Sequence, residues 1–216
     1  PMKKLKSIML YYIHDPMCSW CWGFRPTWDV IQATLPQAVE VEYVAAGLAP
    51  DSDQPMPAAM SKTIEGYWVE IERKLGAEFN YDFWRLNTPR RSTYNACRAV
   101  IAAKLQGQEQ AMVDAIQRGY YLRAMNPSNI AVLITLSEEL ADNDNCFDTT
   151  EFKQDLNSAK VEQEFKRQRE LAQQISVQGY PSLVLKYQNT FYPIMRDYLT
   201  ASVALNEIKR ILNQTN

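Results

Sequence analysis

The sequence predicts an α/β fold, a small mixed β-sheet flanked by helices and interrupted by a large all-helical insertion. Three observations carry this. Residues 1–50 read as strand, helix, strand; the stretch that follows shows only helical periodicity; and strand character returns at Ser182 in a hairpin followed by one last helix. The order is β-α-β, a helical block, then β-β-α, with 1–50 and 179–216 folding together as one discontinuous domain and 51–178 as the inserted one.

Each element has a local reason. Ile8-Met9-Leu10-Tyr11-Tyr12-Ile13 is short, apolar and aromatic, which reads as a buried strand. His14-Asp15-Pro16 breaks it, and a helix is expected from Ser19 to Leu35, kinked at Pro26 because proline has no N–H for the Trp22 carbonyl. Val39 to Ala45 alternates apolar and charged in its first half, like a strand. Tyr94, Cys97, Ile101 and Leu105, then Met112, Ile116 and Tyr120, recur at helical spacing and predict two amphipathic helices. Asn126-Pro127 offers a cap and an N1 proline to a helix over 128–140, and Asp148 with Glu151 reads as a capping box for the next. Asp142-Asn143-Asp144-Asn145 lacks the glycine and terminal glutamate of a calcium loop and reads as a helix-ending turn. A charged helix from Ala159 to Ser176 closes the block. Ser182 to Tyr187 and Thr190 to Ile194 flank Gln188-Asn189, a hairpin, and Leu199 to Leu212 is the final helix, with Val203, Ile208, Ile211 and Leu212 as its apolar positions.

Composition narrows the function. At 216 residues with 46% hydrophobic content the chain can bury a substantial core. A net charge of -2 offers no positive field for nucleic acid or anionic lipid, and no stretch approaches the roughly 18–20 apolar residues of a membrane span. Met2-Lys3-Lys4-Leu5-Lys6 resembles the start of a secretory signal, but the apolar run behind it falls short of the roughly 7–15 residues required, so the expected location is the cytoplasm. Four cysteines are too few for a disulfide scaffold, and a close pair in a reducing compartment is more often catalytic or metal-binding than structural.

The close pair is Cys18 and Cys21. Cys18 stands at the first turn of the expected helix, where unpaired backbone N–H groups and the helix dipole favour negative charge on its sulfur. Cys21 is one turn further on the same face, within reach of a disulfide. The two can therefore carry out a two-step exchange in which Cys18 forms a mixed disulfide and Cys21 resolves it. Trp20 between them brings no charge but an apolar surface for substrate. Gly179-Tyr180-Pro181-Ser182 precedes the returning strand, where a cis proline would leave the Tyr180 backbone to pair with an extended substrate.

Together, Cys18-Ser19-Trp20-Cys21 after a strand, the long helical insertion, and Gly179-Tyr180-Pro181 before a hairpin and a final helix resemble the DsbA-like branch of the thioredoxin superfamily, in particular its FrnE-like cytoplasmic relatives. The resemblance implies a thioredoxin-like fold and a thiol:disulfide oxidoreductase or isomerase acting on protein disulfides. Cys18 would be the nucleophile, Cys21 the resolving thiol and Pro181 the cis proline. Trp20 stands where the best-known DsbA site has histidine, and Tyr180 where a β-branched residue is common. No cofactor is implied beyond glutathione or a thioredoxin-type reductant as redox partner.

Rival readings remain at this level. Kappa-class glutathione transferases and hydroxychromene-carboxylate isomerases share the fold but carry a single activating residue where this chain has two cysteines. A client-binding, chaperone-like protein with vestigial cysteines is a third reading. A zinc site completed by Cys97 and Cys146 lacks a second Cys-x-x-Cys and has only His14 to draw on. Cys97 reads as core packing and Cys146 as an incidental thiol. His14 could tune the Cys18 thiolate, though a loop histidine that packs or hydrogen-bonds is the favoured reading. Arg90, Arg91 and Arg98 could hold an anion such as a glutathione carboxylate; a solvated charged face is the favoured reading.

Overall fold

Alternating side chains of one strand supply both faces of a sheet, and β1 (Ile8–His14) does so. In the computed structural model, which describes residues 8–143, 146–175 and 179–214, β1 lies inside a four-stranded sheet of order β2-β1-β3-β4. It pairs in parallel with β2 (Val39–Ala45), Ile8 opposite Val39, and antiparallel with β3 (Ser182–Tyr187), Tyr11 opposite Val184. The turn at Gln188 and Asn189, both at positive φ, returns the chain into β4 (Thr190–Ile194).

Leu10, Tyr12, Tyr43, Leu183 and Leu185 face one layer, made of α1 (Ser19–Thr34) and α9 (Ala201–Gln214), and bury Phe24, Trp28, Ile31, Ile208 and Ile211. Tyr11, Ile13, Val44 and Val184 face the other, where α8 (Ala159–Ile175) contributes Ala172 and Ile175. The inserted segment thus supplies the second covering layer of the sheet. Gln168 of α8, fully buried, accepts from the Ala45 N–H at 2.8 Å and satisfies the exposed edge of β2.

The insertion otherwise builds its own cores from α2 (Ala58–Leu75), α3 (Asp82–Leu86), α4 (Tyr94–Lys104), α5 (Glu109–Arg123), α6 (Ile130–Asn143) and α7 (Thr149–Asp155). The expected stripe on α4 holds at Tyr94, Cys97 and Ile101 and is wider than its spacing predicts: Ala96, Ala99, Val100, Ala102 and Ala103 are fully buried too, while Leu105 lies past the helix end and is 36% exposed. Small side chains let neighbours approach α4 from nearly every side. An aromatic core of Trp68, Phe79, Phe83, Tyr120 and Tyr121 joins α2, α3 and α5.

Several boundaries shift by physical detail. Asn126 does not cap a helix directly; its side chain accepts from Ser128 N–H in a turn, and α6 begins at Ile130. Asp148 caps α7 through Thr150 and Glu151 N–H, but its own N–H goes to Gln106 Oε1, so the box is closed by a neighbouring segment rather than by Glu151. Asp197 accepts from Leu199 N–H, delaying α9 to Ala201, where Ala204 and Leu205 are buried ahead of half-buried Val203. Helix α1 runs through Pro26 as a single element. Ser176, Asp144 and Asn145 lie outside the described residues. At Gly23, α1 approaches α2 so closely that a Cβ would lie 2.7 Å from Ile71 and 2.8 Å from Leu75.

Candidate active site

Asp15-Pro16-Met17 turns the chain from the end of β1 into α1, and this turn sets the site. The Cys18 N–H bonds the Asp15 carbonyl at 3.0 Å, and Cys18 takes the N-cap position of α1 with extended backbone, φ -81° and ψ 116°. Among the described residues no side chain caps that end, which leaves the first N–H groups of α1 without a side-chain partner. Cys18 is 7% exposed; Cys21, one turn on, is fully buried. Burial, and then the Cys18 thiol beside it, push the Cys21 thiol well above the usual range, while the Asp15 backbone pulls the other way. The pair is therefore asymmetric: Cys18 keeps slight exposure and lines a cavity, whereas Cys21 is closed off and its thiol is held protonated.

The Gly179-Tyr180-Pro181 loop meets this pair as expected. The Tyr180-Pro181 bond is cis, and the Cys18 Sγ donates to the Tyr180 carbonyl at 3.6 Å, joining segments 162 residues apart. Gly179 adopts φ +64°, and its carbonyl accepts from Ser182 Oγ at 2.6 Å. Pro181 is buried and Tyr180 half-buried. Trp20 is half-buried, its ring 5.3 Å from that of Tyr198, and Trp22 stacks on Tyr121 at 5.5 Å while donating to the Glu78 carbonyl. These two tryptophans thus tie α1 to the segment between β4 and α9 on one side and to the insertion on the other.

A cavity of about 220 Å³ opens beside Cys18, walled by Trp20, Met56, Ile64, Tyr67, Arg91 and Tyr180 among others.

His14 packs, as the favoured reading expects, but from the end of a strand and not from a loop. It ends β1, is 1% exposed, and among the described residues neither ring nitrogen has a hydrogen-bond partner. Its ring stacks on Tyr12 at 5.2 Å and meets the edge of Tyr43; burial, and then Lys104, lower its pKa to about 3, so it is neutral and hydrogen-bonds neither cysteine. The residue that does organise the site is Asp15, which sequence reasoning took only as part of a strand break. Its buried carboxylate accepts from Met17 N–H (2.8 Å), Leu48 N–H (2.7 Å), Thr93 Oγ1 (2.7 Å) and Cys97 Sγ (3.6 Å). Burial raises its pKa against the pull of these bonds. Cys97 is therefore buried, as expected, but as a hydrogen-bond donor to the active-site turn as well as packing. Cys146 is exposed, and among the described residues no group of three or more His, Cys, Asp and Glu side chains is arranged to hold a metal.

Comparison with known proteins agrees with this arrangement. Residues 11–191 match the family model described as Thioredoxin. The chain superimposes on a candidate protein disulfide isomerase from Nitrosomonas europaea with a TM-score of 0.83 and 24% identity, over 98% of this chain and all of that one. On the cytosolic disulfide reductase DsbM of Pseudomonas aeruginosa the TM-score is 0.77, with 20% identity over 95% of this chain and 99% of that one. In sequence it is 24% identical over 193 residues to the ClpXP adapter protein SpxH of Halalkalibacterium halodurans, covering 87% of this chain and 61% of the adapter's length. The matched span contains both cysteines, the whole insertion and the cis-proline loop. The chain belongs to the thioredoxin family, with a helical insertion between the two halves of its sheet.

Proposed function

We propose that the chain is a thiol:disulfide oxidoreductase that works in the reductive direction on protein disulfides in the cytoplasm and is recharged by glutathione or a thioredoxin-type reductant. The observation that carries this is the asymmetry of the pair: Cys18 at an uncapped helix start beside a cavity and the Tyr180 carbonyl, Cys21 fully buried one turn behind. The Cys18 thiolate attacks one sulfur of a substrate disulfide, forming a mixed disulfide and releasing the other sulfur as a thiolate. Cys21 then loses its proton and attacks the Cys18 sulfur, closing the Cys18–Cys21 disulfide and releasing the second substrate thiol. Two external thiols reverse this and restore the pair. The Tyr180 carbonyl, which accepts from the Cys18 thiol at 3.6 Å, holds that sulfur at the loop where substrate backbone would lie.

The likeness to a cytosolic disulfide reductase supports the direction and the compartment, and a structure of that reductase with glutathione, matched with a TM-score of 0.70, supports glutathione as the recharging thiol. Cys21 argues against the transferase and carboxylate-isomerase readings, which need one activating residue. The ClpXP adapter relative favours a second reading, a client-binding protein, for which Met195 and Leu199, 69% and 67% exposed, offer apolar contacts. Insulin reduction by the wild type and by Cys18→Ser separates the two: turnover by the wild type that vanishes in the variant supports the redox reading, and equal background rates support client binding.

A further inference from the structure

Three arginines near the site differ in what already holds them. Arg98, with a side chain 17% exposed, bonds Asp51 at 2.9 and 2.7 Å and Glu162 at 2.8 Å. Arg90 is bound by the Ser128 carbonyl at 2.7 Å, Asn129 Oδ1 at 2.6 Å and Asp53 at 3.4 Å, and so ties the loop before α4 to the start of α6. Arg91 is exposed, and among the described residues no carboxylate pairs with it. It lines the same cavity as Cys18 and Tyr120.

The rest of that wall is largely apolar, with Met17, Trp20, Met56, Ile64 and Tyr67. A reactive sulfur, an apolar body and one uncompensated cation describe a ligand with a thiol or disulfide, a short aliphatic or peptide body and an anionic end. At about 220 Å³ the cavity is smaller than the roughly 300–1,000 Å³ of drug-sized sites, which suits a short peptide thiol rather than a folded segment. A guanidinium matches a carboxylate in a two-bond fork.

We infer that Arg91 is a specificity residue that binds a carboxylate of a small cysteinyl peptide whose sulfur reacts at Cys18. This rests on the redox reading above and adds to it which thiol the site accepts. For the oxidised form of such a peptide, Cys18 takes one half as a mixed disulfide and the other leaves as thiolate; Cys21 then expels the bound half, its proton passing to solvent, so that one disulfide is reduced to two thiols as Cys18 and Cys21 are oxidised.

The test measures oxidation of the reduced protein by oxidised glutathione, by its carboxylate-capped ethyl ester and by uncharged bis(2-hydroxyethyl) disulfide. The wild type is expected to prefer oxidised glutathione over the ester, and Arg91→Gln to lower that ratio of kcat/KM about three- to tenfold, the range for a partly exposed charge-assisted contact. Arg91→Lys should recover part of the ratio. An unchanged ratio in Arg91→Gln, or no preference in the wild type, overturns the assignment while leaving exchange with the uncharged disulfide as support for the redox reading. Exchange with none of the three overturns both. A preference that appears only with disulfide peptides flanked by acidic residues, and not with oxidised glutathione, overturns the small-ligand assignment in favour of a protein substrate.

Discussion

The hydroxyl of Thr93 donates to the carboxylate of Asp15 over 2.7 Å, joining the start of the inserted helix α4 to the turn that carries Cys18. The same hydroxyl oxygen accepts from Leu48 and Ala49 N–H at 3.1 and 3.2 Å, so one buried side chain bridges three segments. Thr93→Val keeps the shape and removes every one of these bonds. It is expected to destabilise the fold by about 1–3 kcal/mol, the cost of leaving buried polar groups unpaired, with Thr93→Ser losing less. Urea unfolding midpoints check this, and a Val variant as stable as the wild type would remove Thr93 from the account.

Stability against pH has two opposed contributors. Burial raises Glu109 from 4.5 to about 7, so the stability it allows is fully present below pH 4.5 and is lost as pH rises through about 7. Burial lowers His14 from 6.5 to about 3, so its contribution is full above pH 6.5 and is lost as pH falls toward about 3. Between pH 4.5 and 6.5 the slopes offset. Glu109→Gln should therefore gain about 1–3 kcal/mol at pH 8 and nothing at pH 4, and His14→Phe should flatten the acid limb. Thermal unfolding from pH 4 to 8 reads both slopes.

Gly23 stands where α1 and α2 pass closest. Gly23→Ala places a methyl 2.7 Å from Ile71, which is fully buried, so the helices must separate. A loss of about 1–3 kcal/mol is expected from overpacking, read as a lower midpoint in denaturant.

Alkylation of the reduced native protein should report the difference in access between the two thiols, Cys18 beside the cavity and Cys21 closed off behind it. With Cys146 replaced by Ser, iodoacetamide is expected to label Cys18 and to leave Cys21 and Cys97 unlabelled until the protein unfolds, because both are fully buried with thiols pushed well above their usual range. Peptide mapping by mass spectrometry distinguishes the sites.

The sheet, its hairpin and the cysteine pair were legible because each is a local pattern: the short aromatic run of β1, Gln188-Asn189 at a tight turn, two cysteines one helical turn apart. The cis bond at Pro181 is what the resemblance to the DsbA-like branch implies; a proline before a strand does not by itself require it. What escaped depends on contacts far apart in sequence. Asp15 looks like a breaker next to Pro16, and only folding brings Leu48, Thr93 and Cys97 to its carboxylate. The stripe expected on α4 was too narrow because alanine carries little weight in a periodicity and yet buries completely when neighbours close in. Arg91 could not be told from Arg90 and Arg98 until the partners of the other two were in place.

The central claim is that Cys18 attacks and Cys21 resolves. It is tested most directly by isolating disulfide-linked complexes from cells expressing Cys21→Ala or Cys18→Ala, each in a background lacking Cys97 and Cys146. The account predicts that Cys21→Ala accumulates mixed disulfides through Cys18, because the buried thiol that would release them is gone, and that Cys18→Ala accumulates few. Equal trapping by the two variants, or none by either, would contradict it.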